Sequence, residues 1–119
     1  MTYIPADENL KMLTQFDVAN QNNAYTVYTC TNANCTKIVS FSITNTGNQD
    51  VDCIMYQDNV GSTYNDDTTI MLKSVSRNTS ELIEFPIHLA ENGTIGFEAD
   101  RNNSITLTIW GVELWFFMN

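Results

Sequence analysis

From Ala24 onward, apolar and polar side chains alternate with a period of two, the pattern of a half-buried antiparallel strand. Tyr25, Val27 and Thr29 alternate with Thr26, Tyr28 and Cys30. Val39, Phe41 and Ile43 alternate with Ser40, Ser42 and Thr44, and Val51, Cys53 and Met55 with Asp52, Ile54 and Tyr56. Ile70 and Leu72 mark a further short strand, and Ile95, Phe97 and Ala99 another. The last strand is the longest, with Ile105, Leu107 and Ile109 opposite Thr106, Thr108 and Trp110, and Gly111 placed to bend or bulge it. Turn chemistry separates these runs. Residues 31–34 are Asn-rich, Asn45-Thr46-Gly47-Asn48 tolerates positive φ, and 57–67 is a long polar loop. Asn92-Gly93 predicts a hairpin of the primed-turn type, and residues 100–103 predict a further turn. The stretch Leu82–Leu89 is apolar but interrupted by Pro86, which places it at an edge or a bulge. About seven or eight strands, with turns every 8–12 residues, predict an all-β fold: an antiparallel β-sandwich of jelly-roll-like form.

The first twenty residues lack this rhythm. Pro5 disfavours a helix before it, while Leu10, Leu13 and Phe16 fall at a spacing of three that permits one amphipathic turn. Residues 1–20 therefore read as an irregular N-terminal arm, and 21–119 as the β-sandwich domain. At the other end, Trp115, Phe116, Phe117 and Met118 are consecutive large apolar residues. In a two-period strand such a run needs cover on both faces, from the domain core or from another subunit. Aromatic residues and Met are favoured at interfaces. Leu10, Leu13, Phe16, Trp115, Phe116, Phe117 and Met118 are accordingly the candidate interface residues.

Charge narrows the partners. The chain carries 14 Asp and Glu against 5 Lys and Arg, a formal net charge of −9. Such a chain repels nucleic-acid phosphates and anionic membrane surfaces, so neither is an expected partner. Residues 1–10 lack a basic, then apolar, leader pattern, which predicts folding in a cytosol. There, the odd set Cys30, Cys35 and Cys53 reads as thiols rather than a disulfide framework.

No catalytic constellation is legible. His88 is the only histidine, set between Ile87 and Leu89, and reads as a structural residue. The acid pairs Asp50/Asp52, Asp66/Asp67 and Glu98/Asp100 read as solvated strand and loop positions. The 57–67 loop is rich in hard oxygen ligands, but its spacing does not match the twelve-residue calcium loop. No cofactor and no metal is expected. An alternative reading has Tyr56, Tyr64 and Trp110 stacking on a sugar beside that loop, as in a carbohydrate-binding module.

Several segments resemble small virion structural proteins of tailed bacteriophages. Tyr25-Thr26-Val27-Tyr28 is similar to their opening strand, and Val39–Thr46 to an alternating strand that ends in Asn-Thr. Leu89-Ala90-Glu91-Asn92-Gly93 resembles their apolar-then-glycine turn, and Gly111-Val112-Glu113 their closing strand. The likeness covers about residues 24–114; Tyr28 stands where that group has Pro, and Thr31-Asn32 where it has a glycine turn. The resemblance implies a non-enzymatic, multicopy virion protein assembled in the host cytoplasm. Its partners would be the major capsid protein or other virion proteins, and copies of itself, with a trimer favoured. A capsid decoration (cement) role leads, and a tail, neck or fibre-attachment role is the alternative.

Overall fold

The computed structural model describes residues 2–5, 10–31 and 34–117; of these, 2–5, 34, 35 and 114–117 are described by their backbone course. The strands are β1 (Thr2–Pro5), β2 (Lys11–Asp17), β3 (Tyr25–Thr29), β4 (Asn34–Asn45), β5 (Val51–Asp58), β6 (Thr69–Val75), β7 (Thr79–Ile83), β8 (Ile87–Leu89), β9 (Thr94–Ala99) and β10 (Ile105–Phe117). A single 3₁₀ turn, Asp66–Thr68, is the one helical element among the described residues. All pairings are antiparallel.

One sheet runs β2–β10–β4–β7, with β1 continuing the β2 side of β10 and β8 continuing the β7 side of β4. The other runs β3–β9–β5–β6. Eight strand positions in this order are two interlocked Greek keys, a jelly roll. Both outer positions of the first sheet are filled by two short strands end to end. On one side, the break falls at Glu84-Phe85-Pro86, between β7 and β8. Pro cannot donate to a ladder, so the edge is where its missing N–H costs least.

The facing sheets enclose Phe41, Ile43, Met55, Ile95, Phe97, Leu107 and Ile109, each fully buried. Burying one such side chain contributes about 1.5–3 kcal/mol. Asn45 is polar and yet 1% exposed. Its side-chain amide donates to the Gln49 carbonyl at 2.8 Å and the Val75 carbonyl at 3.1 Å, and its Oδ1 accepts from Gly47 N at 2.9 Å. It thereby fastens two turns to each other, and no buried side-chain N or O among the described residues lacks a partner.

Three expectations are corrected. The segment read as an irregular arm contains β2, a full strand of the sandwich, and β1, paired with the end of β10. Leu13 and Phe16 pack on the core rather than forming a helical turn. Their spacing of three arises from a bulge: Ile109 faces Thr14 and Trp110 faces Met12, which leaves Leu13 as the extra residue. Likewise, Val39 does not share a face with Phe41. Trp110 faces Ser40 and Gly111 faces Ile38, so Val39 is the extra residue, and Ile38 points inward with Phe41. Gly111 permits this bulge, since a Cβ there would run into the Lys37 carbonyl oxygen. Finally, the turn at Asn92-Gly93 joins β8 in one sheet to β9 in the other. Gly93 N bonds to Ala90 O at 3.0 Å, and of the turn residues only Asn92 has positive φ (66°), so this is a sheet-crossing corner rather than a primed hairpin.

Candidate interaction surfaces

β4 and β10 outrun the opposing sheet. Tyr28, next to last in β3, holds its hydroxyl 2.9 Å from Thr36 Oγ1 and donates to Glu113 Oε2 at 3.0 Å. Just past that contact, the second layer makes its last backbone bonds on this side, between Cys30 and the Asn92-Gly93 corner. Beyond it β10 continues through Phe117, with β4 paired to it as far as Asn34 opposite Trp115. β1 lies on its other side, with Pro5 opposite Leu114 and Thr2 opposite Phe117. The result is a ribbon that extends the first sheet, three strands wide through Trp115 and two strands wide at Phe116 and Phe117. Its central strand reads Leu114-Trp115-Phe116-Phe117. The candidate residues Trp115, Phe116 and Phe117 thus lie in one strand at one end of the molecule; Met118 lies outside the described residues.

The other three candidates divide. Leu10 is 54% exposed, whereas Leu13 and Phe16 turn inward, with the Phe16 ring 5.1 Å from that of Tyr25. The structure adds exposed apolar residues that periodicity alone did not select: Met12 on β2, Leu82 and Phe85 along the β7 side, and Leu72 on β6. Edge position was the available signal, since Pro86 already marks the β7–β8 side as an edge.

The 59–68 loop folds back over the outer face of β5 and β9. Tyr64 lies on Gly96, where a Cβ would approach its ring to 2.7 Å. Its hydroxyl bonds with Thr26 Oγ1 at 2.7 Å and Thr94 Oγ1 at 2.9 Å, and its ring sits 5.5 Å from that of Tyr56. Tyr56 donates to Glu98 Oε1 at 2.9 Å; burial, and then that carboxylate, push its phenol up to about 12. Asp58 accepts from the Val60 and Thr63 amides, and these bonds hold its carboxyl below the usual range. Both its oxygens close the loop on itself. Tyr56 and Tyr64 lie on this sheet, while Trp110 belongs to the other, so the three aromatics of the sugar-stacking reading do not converge.

The chemically reactive groups are dispersed. His88 is exposed on the outside of β8 while Ile87 and Leu89 point inward. Cys30 and Cys53 are buried. Burial raises the Cys30 thiol; burial, with Asp100 and Asp52 nearby, pushes Cys53 up to about 12. No group of three His, Cys, Asp or Glu among the described residues is placed to hold a metal ion, and no helix among them is long and apolar enough to cross a membrane. No protein-family model matches the chain, and no curated protein or solved structure matches it.

Proposed function

We propose that this jelly roll is a non-enzymatic virion structural protein, a capsid decoration protein of a tailed bacteriophage that binds the outer shell and associates with copies of itself. The carrying observation is the ribbon of β1, β10 and the start of β4. It extends past the second sheet with an apolar central sequence. A strand that is apolar at consecutive positions needs cover on both faces. Here that cover comes from the major capsid protein and from the ribbons of neighbouring copies, by burial of apolar surface and edge pairing. Each copy offers two different edges, which suits head-to-tail contacts, and where their rotation closes they form a ring, a trimer being the favoured size. The dispersed and buried reactive groups favour a binding role over a catalytic one.

The test uses the full chain with capsids that lack it. Cosedimentation with the capsids, and a trimer in solution that Trp115→Asp and Phe117→Asp convert to folded monomer, are the expected results. A wild-type chain that stays monomeric and leaves capsids bare would overturn the proposal. Particle imaging that places the chain at the tail or neck would move it to the alternative site.

A further inference from the structure

The opposite end of the molecule has a different chemistry. The loops 18–24, 46–50, 76–78 and 100–104 meet there, and hydrogen bonds join them. Asn103 N bonds to Val18 O, Thr46 N to Ser104 O, and Asn78 N to Gly47 O. Gln21 N bonds to Asn102 Oδ1 at 2.7 Å, and buried Asn45 anchors the rim from below. Three of the four positive-φ asparagines among the described residues, Asn22, Asn78 and Asn103, shape these turns. The rim is therefore pre-organised rather than a set of independent loops.

Both arginines of the chain stand on this rim. Arg77, from the β6–β7 turn, and Arg101, from the β9–β10 turn, line one open groove of about 540 Å³ with Asn48, Gln49 and Asp50. In a chain with 14 acids, neither guanidinium makes an ion pair or hydrogen bond with any described residue. The nearby acids are committed elsewhere: Asp50 Oδ1 accepts from Arg77 N at 3.1 Å, and Asp100 Oδ1 accepts from Asp52 N at 2.9 Å. Two unpaired guanidinium forks across a polar groove suit a carboxylate, which they can grip in bidentate fashion.

The remaining lining selects among anions. The second Asp50 oxygen is an acceptor whose charge disfavours a phosphate dianion more than a single carboxylate, while the Asn48 and Gln49 amides carry both donors and acceptors that suit hydroxyl groups. The five lining residues are all polar, so an acidic peptide would find little to pack its side chains against. We propose that this groove binds an acidic saccharide, its carboxylate held by Arg77 and Arg101 and its hydroxyls by Asn48, Gln49 and Asp50. This site is at the far end of β10 from the ribbon and does not depend on the decoration reading.

Titration of the full chain at low salt with a glucuronate-containing tetrasaccharide tests it. Saturable binding is expected, weakened roughly tenfold or more by Arg77→Gln and by Arg101→Gln separately, as the loss of a charge-assisted pair implies. Lys37→Gln removes the same charge from the other end and should leave binding intact. Melting temperatures of the variants confirm that each is folded. No saturable binding by the wild type, an equal loss in Lys37→Gln, or binding of hexaglutamate or inorganic phosphate as tight as that of the tetrasaccharide would each overturn the assignment. Capsid cosedimentation is a separate readout, so failure at one end leaves the other measurable.

Discussion

Cys53 and Tyr56 lie three residues apart on β5 and are protected in different ways. Cys53 points into the core, and Tyr56 lies under the folded-back loop. Ordinary values are 9.0 for the thiol and 10.0 for the phenol, and both are pushed up to about 12 in the folded chain. Between about pH 9 and 12 the folded protein therefore keeps protons that the unfolded chain releases, so stability is full below pH 9 and declines as the pH rises through this window. Melting temperature should fall steadily from pH 9 to 11.5, and Cys53→Ala should flatten the lower part of that fall; a wild-type melting temperature unchanged at pH 11 would contradict this. Much at the residue scale was legible in the sequence. Val51, Cys53 and Met55 are inward as the alternation requires, as are Ile105, Leu107 and Ile109. His88 was legible too, since a strand that turns Ile87 and Leu89 inward must turn the residue between them out. Its apolar neighbours obscured that.

At the scale of elements, β2 matters most because it converts a supposed arm into sandwich. Phe16 packs on the core and on Tyr25, so Phe16→Ala should cost about 2 kcal/mol in urea unfolding, the low end for a large-to-small change because the ring is only partly buried. A free arm would give no change. The element was missed because a bulge resets the two-residue count, and the same device recurs. Val27 is the extra residue against β9, Val39 against β10, and Ile70 against β5. Each shifts the inward set by one position, so Val27 and Cys30 are buried together and Leu72 is left 74% exposed. Bulges depend on cross-strand geometry, and their only local trace was Gly111. The candidate interface was half legible for the same reason. The ribbon followed from its consecutive apolar residues, while Leu13 and Phe16 carried a spacing that belonged to a bulge.

For the molecule as a whole, net charge and shape set the behaviour. A formal charge of −9 with only two ion pairs among the described residues, Lys11–Glu113 and Lys73–Glu81, leaves net self-repulsion that salt can screen. Raising NaCl from low to physiological levels should lift the melting temperature by roughly 2–5 °C, as about 0.5–1 kcal/mol would in a domain of this length; a fall with salt would show that attractive pairs dominate instead. The two ends differ in chemistry, an apolar ribbon at one and an arginine-bearing rim at the other. The interrupted borders of the larger sheet add a constraint on growth. A neighbouring chain that tries to extend the ladder along β7 meets a gap after five residues, and β8 offers only three more. A template cut into such short lengths is a poor one for adding strand upon strand, so this border of the sheet disfavours open-ended growth into a fibre.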